Sequence, residues 1–239
     1  TAKMSLRGKL GYVMILGKAG RAVLQPLADD TDGDLAPGLL ASFGILEGLM
    51  DPGGTLPPFT FYGVGRRPGV VTIFTDASWA PEPPWKHGAG YVGFLVILLD
   101  GTFVFASERV PQDLLAALQP SSNPITTLET MALTGVYESL HPRAFAGLDV
   151  NHFADNTGAN GATIRGYTGN PDMARMIACH HLRTARIGTR VWVEWVKSQS
   201  NIADLPSRPY EPGALRPILD MGATRVPFCF PTFRAWGEW

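Results

Sequence analysis

Val70-Val71-Thr72-Ile73-Phe74-Thr75-Asp76-Ala77-Ser78-Trp79 decides how the rest of this 239-residue chain is read. Its first six residues are all β-branched or aromatic, the composition of a buried strand, and the run delivers a carboxylate, Asp76, at its C-terminal end. Downstream, Ala89–Leu99 and Thr102–Arg109 read as two more strands around Asp100-Gly101, the dipeptide best suited to a two-residue hairpin turn. The first three strands are therefore expected to form an antiparallel meander. Beyond a Pro/Ser loop, the pattern predicts a helix over 126–140, with Thr126 or Thr127 as N-cap and Glu129 in its first turn. A fourth strand over 148–153 runs into Ala154-Asp155-Asn156. A helix over 171–187, a fifth strand over 190–196 and a short helix over 201–207 complete the series. The order βββαβαβα implies an α/β fold: a mixed five-stranded sheet, three antiparallel strands then two parallel βα units, flanked by helices.

Outward from this centre the composition changes. Residues 1–68 begin with a helix-compatible stretch, 3–24, interrupted by Gly8, Gly11, Gly17 and Gly20. An acidic turn-forming run at 28–34 and an apolar helix-compatible segment at 39–50 follow, and a Pro/Gly-rich linker leads to the first strand. Residues 209–239 form a tail containing Pro209, Pro212, Pro217, Pro227 and Pro231, with Phe228, Phe230, Phe233, Trp236 and Trp239 crowded toward its end. Aromatic residues this dense are expected to dock on the domain or on a partner. The division is thus 1–68 extension, 69–208 domain, 209–239 tail, both extensions irregular.

The whole chain is 45% hydrophobic and 17% charged, enough apolar residues for a core and against wholesale disorder. Its net charge of −1 supplies no global basic field, so nucleic-acid binding has to come from a local patch. Cys179 and Cys229 lie too far apart in sequence for a metal-binding spacing and read as reduced thiols of an intracellular protein, with a single disulfide between them as the alternative. The longest apolar run, 91–99, is far shorter than the ~20 residues of a membrane span.

One strand-terminal aspartate is weak evidence of function; a set of them is stronger. A parallel pairing of the first and fourth strands makes neighbours of Asp76 and Asp155. Glu129 lies near the start of the intervening helix, and Asp204 starts the last one. Ligand sites in open α/β sheets collect where the strand order reverses, which is at the first strand here. Converging acids repel unless cations neutralise them, and hard oxygen donors without His or Cys favour Mg²⁺, or Mn²⁺, over zinc. Two such ions ~4 Å apart hold a phosphate between them. The chemistry that follows is metal-dependent phosphodiester hydrolysis, with Asp76, Glu129, Asp155 and Asp204 as catalytic and metal-binding residues.

Four motifs in order also carry a family likeness. Thr75-Asp76-Ala77-Ser78-Trp79 followed by Gly88-Ala89-Gly90 resembles the first motif of the RNase H domains of retroelement reverse transcriptases. Leu128-Glu129-Thr130-Met131-Ala132 resembles their Glu-bearing helix, and Ala154-Asp155-Asn156-Thr157 their third motif. Trp195 through Arg208, ending Asn201-Ile202-Ala203-Asp204-Leu205-Pro206-Ser207-Arg208, is similar to the last, particularly in tyrosine-recombinase and long-terminal-repeat elements. Residues 5–26 resemble, more loosely, the connection that precedes RNase H in such polyproteins. The likeness implies an RNase H-like fold over 69–208 in the C-terminal part of a reverse transcriptase, without its polymerase domain. It implies that Asp76 bridges two ions, that Asp204 completes the nucleophile-side ion, and that Glu129 with Asp155 holds the other, Glu129 also sensing a 2′-hydroxyl. The substrate implied is an RNA–DNA hybrid. Many relatives carry a His in the loop before the last Asp; here that loop reads Ser198-Gln199-Ser200-Asn201, which implies slower turnover.

For a nucleic-acid surface, the candidates are Arg165, Arg175, Arg183, Arg186, Arg190 and Lys197, against which stands the equally weighted reading of a solvated helix face. Trp79, Trp85 and Lys86 lie beside the site in sequence, with packing roles at least as expected. Adjacent residues on a helix do not face the same way, so His180-His181 reads as a pair of helix-surface histidines rather than metal ligands. Ser78 and Ser207 have no partner His at recognisable spacing, and Gly158-Ala159-Asn160-Gly161 is a poor phosphate loop that leads into the helix. Among related nucleases, the Asp-x-Glu of one exonuclease class is absent at Asp76-Ala77-Ser78, and integrases place Glu last where this chain has Asp204. The non-enzymatic alternative is a domesticated RNase H-like subunit of a larger assembly, docking a protein partner through residues 35–62 and 210–239.

Overall fold

The computed structural model describes residues 69–80, 88–119 and 124–231. The helices expected within 3–24 and 39–50, the linker before residue 69, Trp85 and Lys86, and the aromatic end from Phe233 lie outside them.

β1 (Val70–Ala80) turns Val71 and Ile73 into the core. It is flanked by antiparallel β2 (Ala89–Ile97) on one side and by parallel β4 (Asp149–Ala154) on the other. β3 (Phe103–Arg109) continues the meander, and β5 (Arg190–Trp195) lies parallel to β4. The mixed sheet and its directions agree with the sequence reading. The expected five strands become six, in the order β5-β4-β1-β2-β3-β6, because β6 (Thr224–Arg225) from the tail adds in parallel beside β3.

The β2–β3 connection has three residues rather than two. Leu98 N–H donates to Thr102 O at 2.9 Å and Gly101 N–H to Leu98 O at 3.0 Å, enclosing Leu99, Asp100 and Gly101. Gly101 takes the left-handed conformation (φ 82°) that closes such a loop, and Asp100 accepts the Thr102 N–H at 2.9 Å.

α1 (Gln112–Ala117) was not anticipated from the sequence. α2 (Ile125–Ser139) lies across β1 and β2, with Leu128, Met131, Ala132 and Val136 in the core. Its N-cap is Pro124, without a side-chain cap, rather than Thr126 or Thr127: the helix already begins at Ile125. Gly158–Gly161 belongs to a helix of its own, α3 (Thr157–Arg165). Asn156 caps it by accepting the Gly158 and Ala159 N–H groups, and Gly166 ends it in the left-handed region.

α4 (Pro171–Arg186) corrects the reading of the two histidines. Both are buried, His180 2% and His181 6% exposed, because α4 is packed on more than one side and covers a wide arc. His181 Nε2 meets the Thr163 carbonyl of α3 at 2.9 Å, and His180 sits edge-on to the Tyr137 ring of α2, 4.8 Å between centroids.

On the opposite face of the sheet, the short α5 (Asp204–Ser207) packs against β1, β2 and β3. Residues 209–231 are part of the same body. α6 (Arg216–Asp220) buries Ile218 against Leu95 and Phe105, and Phe228 enters the main core beside Gly135, where any side chain would meet its ring. Among the described residues no helix is long and apolar enough to cross a membrane.

Candidate active site

The parallel register of β1 and β4 runs from Val70↔Asp149 to Phe74↔Phe153. Asp76 and Asp155 each lie two residues beyond the last pair, so they leave the sheet abreast of one another. Glu129, in the second turn of α2, reaches the same place from above. One carboxylate oxygen of each of Asp76, Glu129 and Asp155 lies within 4.8 Å of the others. Asp76 is 3% and Glu129 5% exposed.

Asp204, the fourth expected acid, stands at the rim. Its side chain is 34% exposed, and its Oδ1 accepts from Arg208 at 2.6 Å. It is near enough for its charge to act on Asp76, but it is not one of the three converging groups.

α5 is carried to the site by an anchored segment. Asn201 Nδ2 donates to the Thr75 carbonyl at 3.0 Å, and Ser78 Oγ donates to the Ser207 carbonyl at 2.6 Å. Ser207 Oγ donates to Asp76 Oδ2. The approach depends on Gly93, the β2 partner of Asp76: a Cβ there would stand 2.5 Å from the Pro206 carbonyl carbon. A second anchor lies beneath the carboxylates. His152 of β4 is fully buried, with Nε2 2.9 Å from Thr75 Oγ1 and Nδ1 3.0 Å from the Tyr137 hydroxyl. Burial pushes the imidazole down to about 3, so it is neutral in the fold.

The sequence alone does not mark Ser207, Arg208, Gly93 or His152 as a site-builder. Ser207 and Arg208 stood inside a recognised motif; a lone Gly or His in a strand carries no comparable signal.

Burial, followed by the charges of Asp155 and Asp204, pushes Asp76 up to about 7, against the opposing Ser207 hydroxyl. Burial, then Asp76 and Asp155, holds Glu129 well above the ordinary carboxylate range. Asp204 is raised by burial, with Arg208 opposing. Three carboxylates this close cannot all ionise without a counter-charge. Glu129 Oε2 and Asp155 Oδ1 are moreover buried without a hydrogen-bond partner, an arrangement that is costly unless something binds there. An all-oxygen donor set with two orphaned buried oxygens fits a hard divalent cation.

The basic residues are spread more widely. Arg165 ends α3, and Arg175, Arg183 and Arg186 lie on α4, with Lys197 just past β5. Arg175 and Arg186 are exposed and share one stripe of the helix, eleven residues apart. Arg183 is half-buried and pairs with Glu138 at 3.8 Å, and Arg190 pairs with Asp149 at 2.6 Å.

No family model and no curated protein matches the chain. Solved structures do. RNase H1 from the halophilic archaeon Halobacterium salinarum is 18% identical, with 56% of this chain and 91% of that chain covered and a TM-score of 0.39. The N-terminal RNase H domain of a Mycobacterium tuberculosis protein is 15% identical, with 56% and 92% covered and a TM-score of 0.43. An RNase H1 isolated from compost by a metagenomic approach is 15% identical, with 63% and 99% covered and a TM-score of 0.44. At these values the likeness is one of chain path and assigns no activity.

Proposed function

We propose that residues 69–208 form a metal-dependent ribonuclease H that hydrolyses the RNA strand of RNA–DNA hybrids. The observation that carries the reading is the convergence of Asp76, Glu129 and Asp155 within 4.8 Å, at the point where the strand order of a mixed sheet reverses. These three would hold one Mg²⁺ or Mn²⁺, and Asp76 with Asp204 a second. Such ions supply an activated water and neutralise charge on the phosphate.

The chain's own residues do the positioning. The Ser207 hydroxyl fixes one Asp76 oxygen and leaves the other for the cluster. Thr75, tied to Asn201 and His152, holds the strand end that carries Asp76. Arg208 holds Asp204 at the rim, so that using this carboxylate as a ligand means exchanging a guanidinium for a cation. Arg165, Arg175, Arg183, Arg186 and Lys197 are the residues assigned to the duplex backbone; all but Arg183 are exposed, and Arg175 and Arg186 share one stripe of α4. The four ordered motifs support a retroelement reverse-transcriptase lineage, with residues 1–68 as a connection-like extension and 209–239 as a tail.

The second reading, a non-catalytic subunit that docks a partner, is favoured by one observation: Arg208, not the cluster, engages the fourth carboxylate. The deciding experiment incubates the chain with a labelled RNA–DNA hybrid and Mg²⁺ or Mn²⁺ beside Asp155→Asn. Cleavage of the RNA strand by the wild type alone is expected. Equal inertness of both proteins across metals and salt would leave the subunit reading standing.

A further inference from the structure

β5 alternates between two environments. Val191 and Val193 turn toward the helices, where Val193 is 8% exposed. Trp195 points the same way two residues later, but it is 48% exposed, past the cover that the helices give Val193. An exposed tryptophan ring is a large apolar area left in water.

This ring is held in place. Its Nε1 donates to the Asp155 carbonyl at 3.0 Å, its backbone N–H to Glu194 Oε1 at 3.0 Å, and the next N–H, that of Val196, to the Ala154 carbonyl at 3.2 Å. The one polar atom of the side chain is thus spent on the backbone of a carboxylate of the cluster. What remains outward is a flat, uncharged surface beside Asp155, with Lys197 exposed two residues on.

We propose that Trp195 is a substrate contact: its indole packs against the sugar of the nucleic-acid strand that crosses the carboxylates. This rests on the nuclease reading. An uncharged plane suits the place, since carboxylates repel phosphates whereas a ring does not. In a duplex the base faces are covered by their neighbours, so a rigid plane in the wide, shallow minor groove of an RNA-containing helix meets sugar edges. The contact is therefore indifferent to sequence. Trp192, on the opposite face of the same strand, is 67% exposed and bonds Glu194 through Nε1 at 3.2 Å. It supplies an internal control.

The test measures the affinity of a fluorescein-labelled RNA–DNA hybrid by fluorescence anisotropy, with Ca²⁺ in place of Mg²⁺ so that the strand stays intact. Trp195→Leu should weaken binding roughly tenfold, the scale of losing one ring–nucleotide contact. Trp195→Phe, which keeps a ring, should bind within a few-fold of the wild type, and Trp192→Leu should match it. Mg²⁺ affinity measured without nucleic acid should be unchanged in Trp195→Leu. If the wild type binds the hybrid and Trp195→Leu binds equally well, the contact is wrong and the nuclease reading survives. Equal weakening in Trp192→Leu, or a parallel loss of Mg²⁺ affinity, also overturns it, because the ring would then act generally or through Asp155. A wild type that binds no hybrid sinks both. Should Trp195→Leu fail to fold, the fluorescence difference between wild type and Trp195→Phe isolates the Trp195 signal. Quenching of that signal by the hybrid is expected, and an unchanged signal refutes the contact.

Discussion

Asp76→Asn should stabilise the metal-free protein increasingly as the pH rises. Asp76 titrates at about 7 in the fold and at 3.8 when unfolded, so between these values the native state binds the extra proton. Unfolding stability therefore falls as pH increases through that window. Over the whole interval from 3.8 to about 7 this amounts to about 4 kcal/mol, of which roughly 2.5 kcal/mol accrues between about pH 5 and pH 8. His152 works with the opposite sign: its folded value of about 3 lies below 6.5, so its contribution is present above 6.5 and is lost on acidification. The wild-type curve alone thus mixes two trends. The difference between wild type and Asp76→Asn removes His152, which both proteins share. With a urea m-value of ~2 kcal/mol/M, the gap between their midpoints should widen by about 1 M from pH 5 to pH 8 in EDTA, followed by far-UV circular dichroism. Mg²⁺ at ~100 times its dissociation constant should return about 2.7 kcal/mol to the wild type and much less to the variant. A midpoint gap that stays constant across the pH range would refute the burial and crowding assigned to Asp76.

Glu129→Gln removes a buried acid whose ionisation is opposed, so the metal-free variant should be more stable than wild type at pH 8 and bind Mg²⁺ more weakly, as calorimetry would report. Gly93→Val should lift α5 from β2 and separate Ser207 from Asp76, with a loss of about 2 kcal/mol or more in urea denaturation and abolished hybrid cleavage. Tyr137→Phe leaves one His152 nitrogen without its hydroxyl partner and should cost about 1–3 kcal/mol, with the pH-dependence of stability shifted by altered His152 titration. Arg175→Ala with Arg186→Ala should flatten the salt dependence of hybrid binding by about two units of slope; an unchanged slope would assign both arginines to an ordinary solvated face.

The sequence by itself determined the strands, the main helices and the identity of the acids. The β-branched, aromatic run of Val70–Thr75 reads as a strand and buries Val71, Ile73 and Thr75. The segments expected over 126–140, 148–153, 171–187 and 190–196 match observed elements to within a residue at each end, whereas the helix expected over 201–207 begins only at Asp204. Antiparallel β1–β3 and parallel β4 and β5 follow from the element order, and given a parallel pairing of β1 with β4, which the structure shows, Asp76 and Asp155 are legible as neighbours. Local patterns fail where the deciding contact lies far along the chain. Asp100-Gly101 suits a two-residue turn, but the β2–β3 register selected a three-residue loop. His180 and His181 read as surface on an isolated helix; packing by α2 and α3 buries both. Docking of the tail's aromatics is expected from their density, but β6 and the place where Phe228 enters become visible only once β3 and Gly135 present an edge and a gap. At the site, Gly93 is unremarkable in sequence and decisive in space, since only a missing Cβ admits the backbone that brings Ser207 to Asp76. The distinction between three converged carboxylates and a fourth held by Arg208 is likewise tertiary. Charges couple through distance and burial, and neither is written in spacing along the chain.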